Sequence, residues 1–595
     1  MCGIFGYYGF GSTRYSDSQL VAMGDSIHHR GPDSQGIWNS PEDGVALGNQ
    51  RLSILDLEHG DQPFISDDGK VVVVQNGEIF NHVELAAELK GSPWECRTHC
   101  DTEVILRLYE KEGIVGLEKL NGMFAIAVYD AREESLYLVR DRVGEKPLYY
   151  HRDDSGLVFG SEIKAILSLL PDKPGLDLTA LNLFFGLNYV PQPFTLFNQV
   201  RHVKPGHYVK CDRSGIQEHC WWDLSRIQLA QKSEAQWIDE FNELLDDSVR
   251  IRLRADVPFG AFLSGGVDSS TVVGLMSRHM SQPVRTYSIG FDDPKYDESP
   301  YAQEAATRFN TLHKLEIVQP NLLSLWPMAT YHCDQPHGDV SFLPTYKVAE
   351  LASRDVKMVL TGDGADELYA GYDKYKGFFG GGEAEAYSDD EFSRRYVDNI
   401  SLFDESGREQ LFSAEVKARL DPERSVSAVV GHELYRSRHM GRLNQALFVD
   451  TELLLSGNNL VKPDRMGMAV SIENRAPFLD YRLIEHAFSM PGEFKLSHGE
   501  TKYLYKKAVS GLIGEGLAYR KKQMFTVPVG DWFKKDIRPL CEDLLLSERT
   551  RSRDLFDYDY IERLLIDHCE DRQNNTREIR ALMAFEYWCR EFMDS

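Results

Sequence analysis

Cys2 stands directly behind the initiator Met1 and ahead of Gly3. Removal of Met1 puts a thiol and a free α-amine on one residue. An α-amine with a pKa near about 8 is partly neutral at cellular pH and can take the thiol proton. A second segment with chemical potential is Ser264-Gly-Gly-Val-Asp-Ser-Ser270, which follows apolar residues 259 to 263 and opens a helical pattern. Strand, glycine loop and helix together present bare N–H groups and a helix dipole to phosphate. The spacing is not that of a P-loop ending in Lys-Ser or Lys-Thr, so γ-phosphate transfer is not implied. A third, Thr361-Gly-Asp-Gly-Ala-Asp-Glu367, follows the apolar run 356 to 360. Ligands of parallel α/β sheets lie beyond the carboxyl ends of the strands, so two such loops can share one nucleotide. Asp268 and Asp366 then suit Mg²⁺, a hard cation held by one or two carboxylates plus phosphate oxygens and water. Cys96, His99 and Cys100 are close in sequence, but no second pair stands at zinc-site spacing, and they read as inert thiols.

The elements that must position these residues fall into two regimes. Up to about residue 215, short β-type runs alternate with turns, among them residues 70–75, 124–129, 135–139 and 157–159. That half predicts layered β-sheet. The strand pattern stops around residues 222 to 236, and residues 235–252 carry Trp237, Ile238, Phe241, Leu244, Leu245 and Val249 at helical spacing. Beyond 257, strands at 257–263, 285–291 and 356–360 alternate with helix, which predicts a parallel sheet. Residues 443–455 and 503–512 read as helix. The Gly-rich, acidic stretch 378–387 shows no core face and reads as a mobile surface segment.

At 595 residues the chain exceeds what one core organises, so two domains are expected, 1–222 and 236–595. Hydrophobic content of 42% with no long apolar run predicts no membrane span. The N-terminus lacks the basic start and apolar stretch of a signal peptide, which predicts a cytoplasmic protein. A net charge of −26 repels a phosphate backbone and argues against nucleic acid as a partner. Anionic substrates must therefore meet local Lys and Arg, for which Arg520, Lys521 and Lys522 are candidates beside the plainer reading of a solvated face. Nine dispersed cysteines fit reduced thiols rather than a disulfide framework.

His29-Arg-Gly-Pro-Asp33, Asn49-Gln-Arg-Leu-Ser53, Asn76-Gly-Glu78, Asp101 and Arg140-Asp-Arg-Val-Gly144 occur in one ordered set. With Cys2, this half of the chain resembles the class II glutamine amidotransferases, whose fold is the N-terminal-nucleophile αββα sandwich. The resemblance implies Cys2 as nucleophile, with the Asn76 side chain and the Gly77 N–H as donors to the oxyanion. It implies Arg51 as the fork for glutamine's α-carboxylate, and Glu78 and Asp101 as partners of its α-ammonium. His29 and Arg30 are assigned to loop structure.

The Ser264–Ser270 loop resembles that of the adenylating ATP pyrophosphatases. Lys462-Pro-Asp-Arg-Met466, Glu473-Asn-Arg-Ala-Pro-Phe-Leu-Asp480 and Gly499-Glu-Thr-Lys502 resemble the C-terminal signature of the glutamine-hydrolysing asparagine synthetases. That resemblance spans nearly the whole chain. It implies an α/β synthetase domain with a helical C-terminal part. ATP would be bound by Leu263, Ser264, Gly265, Gly266, Asp268, Ser269, Ile289, Thr361 and Gly362, Mg²⁺ by Asp268 and Asp366, and the phosphates by Lys502. Arg465 and Arg475 have two readings, orientation of carboxylates or structural ion pairing.

Together these imply two reactions in one chain: glutamine hydrolysis through a Cys2 thioester, and transfer of the ammonia along an internal channel to β-aspartyl-AMP, giving asparagine, AMP and pyrophosphate. A homodimer is implied by the family alone. Asp363 departs from the Glu that asparagine synthetases often carry there, which leaves a second acceptor class open, a sugar uronate or a secondary-metabolite acid. A cyclising β-lactam synthetase has no use for ammonia, and Cys2 argues against it. Intact Cys2, Arg51, Asn76, Asp268, Asp366 and Lys502 argue against an inactive regulatory scaffold.

Overall fold

In the computed structural model the described residues are 2–11, 15–295, 297–318, 320–521 and 538–594; Lys522 lies outside them. The N-terminal half is built on two six-stranded antiparallel sheets. In the first, Cys2–Gly9 runs between Val45–Arg51 and Gly156–Gly160, with Ser34–Ser40 outside Val45–Arg51. In the second, Val71–Ile79 pairs with Phe64–Ile65 and Gly122–Asp130, followed by Ser135–Arg140, His207–Asp212 and Gly215–Cys220.

Period-2 alternation explains how the sheets stack. Ile4, Tyr8, Val45 and Leu47 of the first sheet pack against Val72, Val74, Ala125 and Ala127 of the second. The opposite faces bury Phe5 and Tyr7 against Leu20 and Met23 of helix Asp17–Asp25, and Val71, Val73 and Ile126 against Val104, Ile105 and Leu108 of helix Asp101–Glu112. Helix, sheet, sheet, helix is the sandwich the resemblance implied.

Helix Glu234–Arg252 begins where the helical spacing predicts. Ser233 accepts from the Gln236 N–H and the Gln236 side chain accepts from the Ser233 N–H, a capping box that stabilises the start by about 0.5–2 kcal/mol. Trp237, Phe241, Leu245 and Val249 then form its buried stripe. The second half is organised on a five-stranded parallel sheet in the order Leu312–Val318, Arg285–Phe291, Phe259–Phe262, Met358–Leu360, Glu473–Arg475. The two loops singled out in the sequence leave adjacent strands of this sheet. Among the described residues, no helix is long and apolar enough to cross a membrane.

One expectation fails, and a second, helix over 443–455, holds with a change of helix type. The stretch 378–387 has a core face: Phe378 packs edge-on against Phe392 and Tyr396, and Ala384 is buried. Its glycines and glutamates masked the contribution of these few apolar residues. Residues 443–455 are not one α-helix, because Arg442–Val449 continues into a wider helix over Asp450–Asn459. Such widened turns, closed here by the Leu460 N–H on the Leu455 carbonyl at 2.9 Å, have no periodicity distinctive enough to read from sequence.

Candidate active sites

The first site lies at one end of the sandwich and follows from strand parity. Cys2 continues the alternation of Ile4 and Tyr8, Asn49 and Arg51 that of Val45 and Leu47, and Asn76 and Glu78 that of Val72 and Val74. All therefore project toward the space between the sheets. Antiparallel register sets Cys2 opposite Arg51. The Cys2 N–H donates to Asn76 Oδ1 at 3.2 Å, and Asn76 Nδ2 donates to Ser161 Oγ at 3.3 Å. Burial pushes the Cys2 thiol up, opposed by hydrogen bonds from Leu52 and Asn49 and by the Arg51 charge. Gln62 Nε2 stands 4.0 Å from Cys2 Sγ. Gly77 follows Asn76 where a Cβ would meet the Met123 carbonyl oxygen at 2.0 Å, so no side chain fits.

Arg51 is buried and held by backbone. Nη2 donates to the Leu55 and Asp56 carbonyls at 3.2 and 2.7 Å, and Nη1 to Asp61 Oδ1 at 2.8 Å. Asp61 is 72% exposed at its side chain, so this last pair is weak and a substrate carboxylate can replace it. Asp101, at the start of its helix, accepts from the Ile79 N–H at 2.8 Å and from Gln75 Nε2 at 3.1 Å. Glu78 is held well above the usual carboxylate range by burial and by Asp101, while Arg475, whose Nη2 is 3.4 Å from Glu78 Oε1, opposes the shift.

The second site sits at the carboxyl ends of the parallel strands. Gly265 has φ +71°, and a Cβ there would meet the Tyr301 backbone at 2.3 Å, so the loop requires glycine. Gly266 caps helix Val267–His279, whose first turn carries Asp268. Ser264 and Ser269 share a hydrogen bond at 3.1 Å across the loop, and Arg520 Nε ties down the Gly265 carbonyl at 2.8 Å. The reading of Arg520 as a solvated charge is thereby corrected: it braces the glycine loop. A Cβ on Gly362 would stand 2.7 Å from Asp268 Cβ, so the two loops touch through that glycine. Leu263 and Ile289, both buried, lie at the sheet's carboxyl edge and on the adjacent strand.

Lys502 joins the loops. Its Nζ lies 2.7 Å from both Asp268 oxygens and 2.7 Å from Asp366 Oδ1. Burial alone would lower the lysine pKa, but the two carboxylates outweigh it and hold the ammonium above its ordinary range. Asp363 accepts from Thr361 Oγ1 at 2.7 Å, and burial raises its carboxyl. Among the described residues, no group of three or more His, Cys, Asp or Glu stands ready to hold a metal.

Several contacts that could not be read from sequence line these sites or join them. Gln62, Asn49 and Ser161 surround Cys2 and Asn76. Arg30, expected as loop structure, does sit in the turn His28–Arg30 but is fully buried, with Nε donating to the Cys2 carbonyl at 3.2 Å. Arg465 pairs with Glu162 at 2.9 Å in the interior between the two halves. Glycine and acid patterns mark the loops, whereas these contacts depend on docking of distant segments.

The asparagine synthase family model matches residues 240–590, and the glutamine amidotransferase domain model matches residues 1–222. The chain is 31% identical to asparagine synthetase [glutamine-hydrolyzing] 1 of Bacillus subtilis, over 99% of this chain and 96% of that one. It is 30% identical to asparagine synthetase [glutamine-hydrolyzing] 3 of the same organism, over 90% and 89%. A putative asparagine synthetase [glutamine-hydrolyzing] 2 of Methanocaldococcus jannaschii is 37% identical over 62% of this chain and 76% of that protein. The chain belongs to the asparagine synthase family, with a glutamine amidotransferase domain ahead of the synthase domain.

Proposed function

We propose that this protein makes asparagine from aspartate, ATP and glutamine, with residues 1–222 as glutaminase and 236–595 as synthetase. The observation that carries the reading is the convergence of Lys502, Asp268 and Asp366 across two neighbouring strand-end loops, in the same chain as Cys2 facing Asn76 and Arg51.

Arg51 takes glutamine's α-carboxylate in place of Asp61, and Glu78 and Asp101 take the α-ammonium. Cys2 Sγ attacks the amide carbon. The oxyanion is received by the Gly77 N–H and by Asn76 Nδ2, which turns from Ser161 for this purpose. Collapse releases ammonia and leaves a thioester, which water cleaves to glutamate and free thiol. In the second site Leu263, Ile289 and the Thr361 to Gly362 backbone hold the adenosine, and the Ser264–Ser269 loop holds the phosphates at a helix N-terminus. The hard carboxylate oxygens of Asp268 and Asp366, converging on one cation, fit Mg²⁺, which would neutralise the departing pyrophosphate. Aspartate's β-carboxylate attacks the α-phosphorus and pyrophosphate leaves. Ammonia delivered through the interior attacks the acyl carbon, AMP leaves and one proton is lost. Lys502 stabilises the developing phosphate charge.

The same reading gives a cytoplasmic enzyme, active as a homodimer, with small-molecule substrates and no nucleic-acid partner. The test is to measure AMP, pyrophosphate and asparagine from purified protein with glutamine and Mg-ATP, with and without aspartate. Aspartate-dependent AMP matched by asparagine is expected. Glutaminase activity without aspartate-dependent AMP would overturn the choice of acceptor.

A further inference from the structure

Arg475 is a synthetase-half residue with its guanidinium in the glutaminase half. It ends the edge strand Glu473–Arg475 of the parallel sheet, and its carbonyl accepts from the Thr361 N–H at 2.9 Å, so its backbone is bonded to the start of a nucleotide loop. Its side chain runs the other way. Nη1 donates to the Arg252 and Arg254 carbonyls at 2.9 and 2.7 Å, Nε meets Glu473 Oε1 at 2.5 Å, and the guanidinium carbon lies 5.5 Å from the centre of the Phe80 ring. These contacts fix the plane of the fork and leave Nη2 at ion-pair distance from Glu78 Oε1, 3.4 Å, with no hydrogen bond between them. Arg475 is fully buried and Glu78 nearly so.

We propose that Arg475 is a positioning residue for glutamine: it holds the Glu78 carboxylate toward the substrate's α-ammonium and ties that carboxylate to the Thr361 loop of the other site. The proposal rests on Glu78 being the ammonium partner. The electrostatic need is plain. Glu78 shares a buried region with Asp101 and Glu473, and like charges so placed drive a carboxyl toward its neutral form, which cannot pair with an ammonium. Arg475 opposes this shift without cancelling it, and the arriving ammonium is the second cation that favours the ionised carboxylate. An Arg suits the task because its planar fork is fixed by three partners while one N–H pair remains for Glu78.

The function of the arrangement is coupling. Any displacement of the Thr361 strand end would reach Glu78 through the Arg475 backbone and its fixed fork. The physical link is one residue long, from its carbonyl oxygen to its Nη2.

The experiment compares two substrates on the intact enzyme: glutamine, and 4-carbamoylbutanoate, which keeps the amide and one carboxylate but lacks the α-amino group. Arg475→Gln should raise KM for glutamine about tenfold or more, with glutaminase kcat changed less than about threefold, and leave KM for the analogue unchanged. Arg475→Lys, which keeps the charge but not the fork, should recover part of the glutamine KM. Ammonia-driven asparagine synthesis by the same preparations reports whether the protein is folded, and if Arg475→Gln does not fold, Arg475→Lys carries the comparison. Equal rises in KM for both substrates would reduce Arg475 to a structural ion pair and overturn the proposal. Glu78→Gln separates the two levels. If it leaves KM for glutamine unchanged, the assignment of Glu78 is wrong. If it raises KM while both Arg475 variants do not, Glu78 stands and the role of Arg475 falls.

Discussion

Arg30 of the N-terminal half and Asp464 of the C-terminal half meet through a two-point fork, Nη1 to Oδ2 at 2.9 Å and Nη2 to Oδ1 at 3.0 Å, with neither side chain reaching solvent appreciably. The same guanidinium holds the Cys2 carbonyl and Glu162. Helix Val461–Met468, which carries Asp464, also carries Lys462, whose Nζ bonds Asp339 at 2.8 Å. Buried charges therefore sit between the halves beside the apolar clusters that span them, and each charge depends on its partner.

This sets a stability prediction. Asp464→Leu leaves Arg30 with a buried charge short of one carboxylate, and should cost about 3–5 kcal/mol. The double change Arg30→Met, Asp464→Leu removes both charges and should cost much less than the two single changes summed. Urea unfolding of the four proteins completes the cycle. Additive costs would show that the fork contributes no coupling.

Cys2→Ala should reduce glutamine-driven asparagine synthesis by at least about 10³-fold, because it removes the thiol that is the nucleophile of the proposed reaction. Synthesis from ammonium should continue at close to the normal rate. The check is asparagine formed from each nitrogen source at saturating Mg-ATP and aspartate. Loss of both activities would contradict separate sites.

Lys502→Met tests the other site. The lysine stands between Asp268 and Asp366, and on the proposed reading its charge supports the phosphates. AMP formation should fall at least about 100-fold, while glutamine hydrolysis, which uses residues of the other half, stays within about twofold. Radiolabelled ATP turnover and glutamate release from one preparation decide it.

What the sequence disclosed was local in origin. Ser264 to Ser270 could be read because strand, glycine loop and helix are contiguous, and Gly265 can be recognised by the backbone it must adopt. Arg51 and Asn76 were legible only through the ordered motifs that resemble the class II glutamine amidotransferases; the strand parity that puts them on one face came from the structure. Arg475 remained ambiguous between two roles, since its contact with Glu78 spans the docking of two halves and no spacing encodes it. Arg30 was underestimated for the same reason. Phe378 and Ala384 were hidden within a composition that reads as surface, because burial there depends on Phe392 and Tyr396 arriving from the next helix.

Asp61 offers a prediction of opposite sign. It occupies Arg51 Nη1 from a largely exposed position, where the proposed mechanism places glutamine's carboxylate. Asp61→Asn should therefore lower KM for glutamine, by up to about fivefold, since exposed pairs are worth at most about 1 kcal/mol. Glutaminase initial rates across glutamine concentrations measure it. A raised KM would mean that Asp61 orients Arg51 rather than competing for it.

Glu145 sets a pH dependence of stability. Burial, reinforced by Asp141, pushes its carboxyl up to about 8, against the pull of Arg252 and Lys146. In the unfolded chain a glutamate titrates near about 4.3. The folded protein therefore binds a proton that the unfolded chain has already lost across most of this interval. The contribution is fully present below the unfolded pKa, declines as pH rises through the interval, and is gone above about 8. Glu145→Gln keeps a neutral side chain at every pH. The variant should match the native protein near about pH 4 and exceed it by a few kcal/mol at about pH 9, since each pKa unit of difference is worth about 1.4 kcal/mol. Denaturant midpoints of both proteins at several pH values give the comparison. Parallel curves across that range would mean that the Glu145 carboxyl is ionised in the folded protein at neutral pH, paired with Arg252 or Lys146 more closely than its burial implies.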